Sequence, residues 1–152
     1  MVFQACPISG ESRNGRVARI VAAFVVVIVL AAAALGAPWG ALILFALAAD
    51  FFVRGFGDAR RSPLATLARG VANTLHLAPK PVDAAPKKFA ARIGVGFSLL
   101  TGLLFVVGLP VPALAVAGVF VVCATLEAAL GYCVGCKVYA LLPRPVARAL
   151  AK

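Results

Sequence analysis

The sequence predicts an all-α fold: an integral membrane four-helix bundle of two antiparallel transmembrane hairpins, with an amphipathic helix in the cytoplasmic loop between them. Three observations predict it. Of the 152 residues, 63% are hydrophobic, more than a soluble domain of this length carries. All charged residues fall in three stretches: Glu11 to Arg19, Asp50 to Arg92, and Glu127 to Lys152. Apolar segments separate these stretches, and the remaining two connections, Gly36-Ala37-Pro38-Trp39-Gly40 and Gly108-Leu109-Pro110-Val111-Pro112, carry no charge.

The first span is expected over residues 17–35. At 1.5 Å per residue it reaches about 28 Å, close to the hydrocarbon thickness of a bilayer. Arg13, Arg16 and Arg19 precede its uninterrupted apolar run, and Ala32-Ala33-Ala34 looks like a signal-peptide cleavage site. The run is long enough to span, so it is expected to persist as a helix. The second span is expected over 38–56, with Pro38 at the first helical position, where a missing N–H leaves nothing unsatisfied.

The loop 57–88 holds the amphipathic helix. Ser62 reads as its N-cap and Pro63 as its first residue. Leu64, Leu67, Val71 and Leu75 recur at helical spacing, with Arg69, Asn73 and His76 on the other face. Such a helix lies on the inner leaflet or packs on the end of the bundle. Pro79, Pro81 and Pro86 stop it before the third span, 89–109, whose helix starts near Asp83 or Pro86. The fourth span covers 111–132 and a tail covers 133–152, so residues 1–152 form one transmembrane domain without internal repeats. Both uncharged turns are short enough to make each flanking pair of spans an antiparallel hairpin.

A net charge of +10 raises nucleic acid as a partner. The charge is split among membrane-flanking segments, with no compact soluble domain to present it, and nucleic acid is therefore excluded. Lys and Arg beside short loops mark the cytoplasmic side, which places both termini and the long loop inside. Anionic lipid headgroups are the matching partner, at about 1 kcal/mol per basic residue near the surface. No nucleotide-binding glycine loop, catalytic triad or haem motif is present, and no cofactor is named by the sequence.

Cys133-Val134-Gly135-Cys136 is the sharpest local motif. Thiols three apart can form a disulfide, hold a metal or pass sulfur between them. Two incidental thiols at a helix end is the competing reading. If the fourth span runs on through Cys136, the helix dipole disfavours a thiolate there. If Gly131 breaks it, a new helix N-terminus near Cys133 favours one, with Lys137 assisting. Gly131 and Gly135, four apart, equally permit close helix packing. Cys6-Pro7 lies on a tether long enough to fold back toward Cys133 and Cys136, which makes Cys6 the third candidate reactive thiol.

Cys123 and Glu127 share a face of the fourth span. An acid inside a span faces a partner or a wet cavity. Asp50 and Arg54 are its expected counterparts, giving a polar cluster of Asp50, Arg54 and Glu127, with Arg16 or Arg19. His76 is the only histidine. With Cys6, Cys133 and Cys136 it would complete a Cys3His zinc set, although the spacing matches no compact zinc motif.

The chain resembles a bacterial membrane family known as domain of unknown function 4395. The resemblance covers nearly the whole chain. It rests on Cys6-Pro7 with Asn14, Asp50-Phe51-Phe52-Val53-Arg54, Ser62-Pro63, Ala85-Pro86-Lys87-Lys88-Phe89-Ala90, and Gly131 to Tyr139. It implies a multi-span protein of the bacterial inner membrane with a cysteine-bearing face, and no particular substrate. The leading expectation is a cytoplasm-facing thiol site for redox equivalents or sulfane sulfur, with a thioredoxin-like or sulfurtransferase partner. A metal-binding membrane module, a structural accessory subunit and a small oligomeric transporter are the alternatives.

Overall fold

The structure, a computed structural model, describes residues 12–141. Helices α1 (Gly15–Leu35) and α2 (Trp39–Phe56) form the first hairpin. A 3₁₀ turn at Ala59–Arg61 and helix α3 (Pro63–Thr74) follow. Helices α4 (Ala84–Val106) and α5 (Pro110–Leu130) form the second hairpin, and the short α6 (Val134–Leu141) closes the described chain. Four of these, α1, α2, α4 and α5, are long and apolar enough to cross a bilayer. The fold class is the one the sequence predicts, an all-α integral membrane four-helix bundle. In lipid only such helices satisfy every backbone group from within.

Around the bundle, α1 packs on α2 and α5, and α4 packs on the same two. The pairing of α2 with α4 depends on a row of small residues, Gly94, Ser98 and Gly102, spaced four apart. A Cβ on Gly94 would lie 2.6 Å from the Phe51 ring, and one on Gly102 2.9 Å from the Phe45 ring. Small residues on one helix thus seat aromatic rings of the other, which is how membrane helices gain contact without a hydrophobic drive between them. Val27, Leu30, Phe52, Leu103, Val106 and Val122 point outward and remain exposed on the bundle's flank, where lipid would cover them.

Helix α4 starts where the sequence places its start, next to Asp83, five residues before the expected span itself. Asp83 caps it by accepting the Ala85 N–H at 3.1 Å, and Pro86 falls in the first turn, where it does no harm. Two short strands were not anticipated: β1 (Ser12–Asn14) and β2 (Pro81–Asp83) pair antiparallel, Ser12 opposite Asp83. Three-residue strands carry no periodicity to read. The Asn14 side chain both caps α1 at the Arg16 N–H and accepts the Lys80 N–H, so the start of α1 is fastened beside the start of α4.

Ser62 caps α3, its Oγ accepting the Ala65 N–H at 3.1 Å. Ala65, Ala68 and Ala72 form the face docked on the bundle, against α1. Leu67, Val71 and Leu75 stay exposed, while Leu64 turns to the core. The two expectations for this helix are therefore compatible: alanines dock it and the larger apolar side chains are left outside.

Candidate functional site

Whether α5 continues through the cysteines is decided by Gly131. Its φ of 68° is left-handed, a conformation that favours glycine, and it ends α5. A new helix, α6, begins at Val134. Gly135 does different work. A Cβ there would stand 2.8 Å from the Cβ of Ala90, so glycine lets α6 lie against α4. Phe89 and Tyr139 close the same interface, with ring centroids 5.6 Å apart.

Cys133 occupies the position just before α6 and is buried. Its Sγ accepts the Cys136 backbone N–H at 3.4 Å, as a capping side chain does. Cys123, Cys133 and Cys136 are all free thiols. A hydrogen bond from the Cys136 thiol lowers the Cys133 pKa below its ordinary value, and the Lys87 charge adds to this against burial and Glu127. Cys136 moves the opposite way, chiefly because it holds the proton it donates to Cys133, and secondarily through burial. The two thiols thus shift in opposite directions, Cys133 toward the thiolate and Cys136 away from it. The cation is not the expected one: Lys137 lies over the Tyr132 ring, 5.5 Å from its centroid, whereas Lys87 of α4 acts on Cys133.

Glu127 is ion-paired with Lys87, not with Asp50 or Arg54. Asp50 and Arg54 pair with each other at 2.8 Å. Asp50 Oδ1 also accepts the Ser62 Oγ–H at 2.6 Å and the Leu64 N–H at 3.3 Å, tying the loop to α2. Arg19, expected near this cluster, instead donates to the carbonyls of Ala128 and Ala129, at 3.1 and 2.5 Å, and caps the end of α5. Arg16 is exposed. The expected single cluster is therefore three separate arrangements. The physical reason is that Ser62 and the Leu64 N–H already satisfy one oxygen of Asp50, while Lys87 projects from the first turn of α4 toward Glu127. Arg54 is held by Asp50 one turn earlier on its own helix, and Glu127 is taken by Lys87.

A cavity of about 1010 Å³ brings these groups back together. At the charged end Arg54, Lys87, Glu127 and Cys133 line it, and it reaches Val25, Phe120 and Cys123 within the bundle. Cys136 is not among its lining residues, so Cys133 alone of the pair faces it. Sequence reasoning missed Lys87. The only signal was its place in the motif Ala85 to Ala90, forty residues from Glu127.

His76 sits past the end of α3, exposed, with a positive φ of 48°. Among the described residues no three His, Cys, Asp or Glu side chains gather as a metal would need. Cys6 lies outside the described residues, as does the tail beyond 141.

No curated protein and no solved structure matches the chain. A family model does, over residues 14–144, a range that takes in the Asp50–Arg54 pair, the Ser62 cap, the Lys87 turn and the Cys133 break. The chain thereby belongs to the family described as a domain of unknown function (DUF4395).

Proposed function

We propose that this membrane protein carries a thiol site facing the cytoplasm from the bacterial inner membrane, with both termini inside, and that it handles redox equivalents or sulfane sulfur. The single observation supporting this is the position of Cys133: its sulfur caps α6, accepts the Cys136 N–H, feels the Lys87 charge and lines the cavity. A thiolate in that setting is a nucleophile toward sulfur.

In the exchange, the Cys133 thiolate attacks one sulfur of a partner disulfide and the other sulfur leaves as thiolate. Cys136 then gives up its proton to that departing thiolate and attacks the Cys133 sulfur, releasing the partner's other sulfur as a thiolate. The partner leaves with one thiol and one thiolate, which takes its proton from water, and the electron pair has passed from the two cysteines to it. With a persulfide the same attack moves the terminal sulfur onto Cys133 and releases the donor as a thiolate. A thioredoxin-like protein or a sulfurtransferase supplies the partner chemistry. Cys6 serves as an alternative resolving thiol: about six residues separate it from Ser12, a reach of about 20 Å when extended. Asp50, Arg54 and Glu127 shape the field around the site.

Trapping tests this. The Cys136→Ser protein should accumulate a mixed disulfide through Cys133, seen as a mass adduct that a reductant removes. The Cys133→Ser protein should form none. Equal adduct formation in both variants, or none in either, would exclude the scheme.

A further inference from the structure

The cavity has a chemistry of its own that the thiol reading does not use. Its lining comes from all four long helices, with Ala65 and Arg69 of α3 and Val134, Gly135 and Val138 of α6. Among the described residues, six basic side chains and two acidic ones, Asp58 and Glu127, line it. The basic groups stand toward the charged end. Further in, the walls are Val21, Val25, Phe97 and Phe120. From Val17 to Val25 on α1 this wall runs about 12 Å, at 1.5 Å per residue.

Arg54 is the decisive residue. It is 9% exposed and lines the cavity, with its guanidinium 4.3 Å from the Phe51 ring centroid. One of its terminal nitrogens is ion-paired with Asp50 at 2.8 Å without hydrogen-bond geometry, and among the described residues Nε has no hydrogen-bond partner. A buried donor of that kind is retained at a cost unless something accepts from it. Asp50 leaves Nε unmet, because its Oδ1 is already held by Ser62 and Leu64 and its Oδ2 lies at the terminal nitrogen.

We infer that the cavity binds a single-chain anionic amphiphile, a long-chain carboxylate, with its head on Arg54 and its chain running between α1, α4 and α5 toward Cys123. The volume is of the size that ligand pockets have, roughly 300–1,000 Å³. The excess of basic groups selects an anion, and the apolar depth selects a chain. A small anion would satisfy the first feature and not the second, and a neutral hydrocarbon the second and not the first.

The test uses the full chain in neutral-detergent micelles or neutral-lipid nanodiscs, with radiolabelled oleate as the probe. Saturable binding of one oleate per chain is expected, with methyl oleate and inorganic phosphate each at least tenfold weaker as competitors. Arg54→Gln alone would leave Asp50 buried and unpaired and so risks misfolding. The double variant Asp50→Asn with Arg54→Gln removes both charges together and should weaken oleate at least tenfold. Cys123→Phe fills the inner end and should weaken oleate while sparing decanoate. Methyl oleate competing as well as oleate would mean an apolar void without a head site. Phosphate competing as well as oleate would mean a small-anion site. Either result, or undiminished oleate binding by the double variant, overturns the inference.

Discussion

Gly135→Ala isolates the geometry on which Cys133 depends. The added Cβ would come 2.8 Å from the Ala90 Cβ and 2.9 Å from its Cα, and that neighbour is backbone-anchored within α4. The contact cannot be relieved by a rotamer change, so α6 must lift. Overpacking of this kind costs about 1–3 kcal/mol. Replacing glycine inside a helix returns about 0.5–1 kcal/mol through the unfolded state. The net loosening of α6 is then about 1–2 kcal/mol, or a factor of about 5–30 in the population of the lifted form. The assay is the rate at which a maleimide modifies Cys133, which is buried while α6 is docked. With Cys136→Ser and Cys123→Ser in the background, only Cys133 among the described thiols reports. The rate should rise by that factor in Gly135→Ala and return toward the parent when Ala90→Gly makes room. An unchanged rate, or a rise that Ala90→Gly does not reverse, would refute the packing argument.

Charge near the thiol gives a test of sign. The Cys133 pKa is lowered, so its alkylation rate should reach a plateau at a pH below that of an ordinary cysteine, since the thiolate is the reacting form and exists above the pKa. Lys87→Met should move the midpoint up and Glu127→Gln should move it down; shifts of the same sign would contradict the assignment. Ser62→Ala removes a cap worth about 1 kcal/mol and a hydrogen bond to a charged acceptor worth about 1.5–3 kcal/mol. Thermal unfolding in detergent should show the loss, and an unchanged midpoint would mean that α3 is held by its alanines alone. Membrane-impermeant maleimide should modify Cys133 and Cys136 in inverted vesicles and not in intact cells, whereas modification in intact cells would invert the orientation.

The four spans and the capped loop helix were legible because each is written in contiguous residues. Lipid demands long apolar helices, arginines mark their ends, and Ser62-Pro63 announces a helix start by local chemistry alone. What was not legible depends on residues far apart. Nothing near Glu127 points to Lys87, and an acid in a span finds a partner only when another helix is placed beside it. The two uses of Gly131 and Gly135 look alike in sequence, since a left-handed turn and a close helix crossing both call for glycine. Lys137, adjacent to Cys136, was the natural choice for an activating cation. Adjacency on a helix does not aim a side chain, and its ammonium lies over Tyr132.

A break in a helix at the edge of a membrane leaves carbonyls on one side and N–H groups on the other without partners. Here Arg19 takes the carbonyls of Ala128 and Ala129, and Cys133 takes the N–H of Cys136. The reactive atom is therefore also a structural one, and the two roles should separate on substitution. Serine is a better cap than a thiol, so Cys133→Ser should keep or raise the thermal midpoint while losing all thiol chemistry. Cys133→Ala loses the cap as well, and a lost cap typically costs about 1 kcal/mol, less here because sulfur is a weak acceptor. Stability should then rank serine at or above cysteine, and cysteine above alanine. If serine proved as destabilising as alanine, the sulfur would be holding its place by packing, and the capped thiolate on which the reactivity rests would have no structural basis.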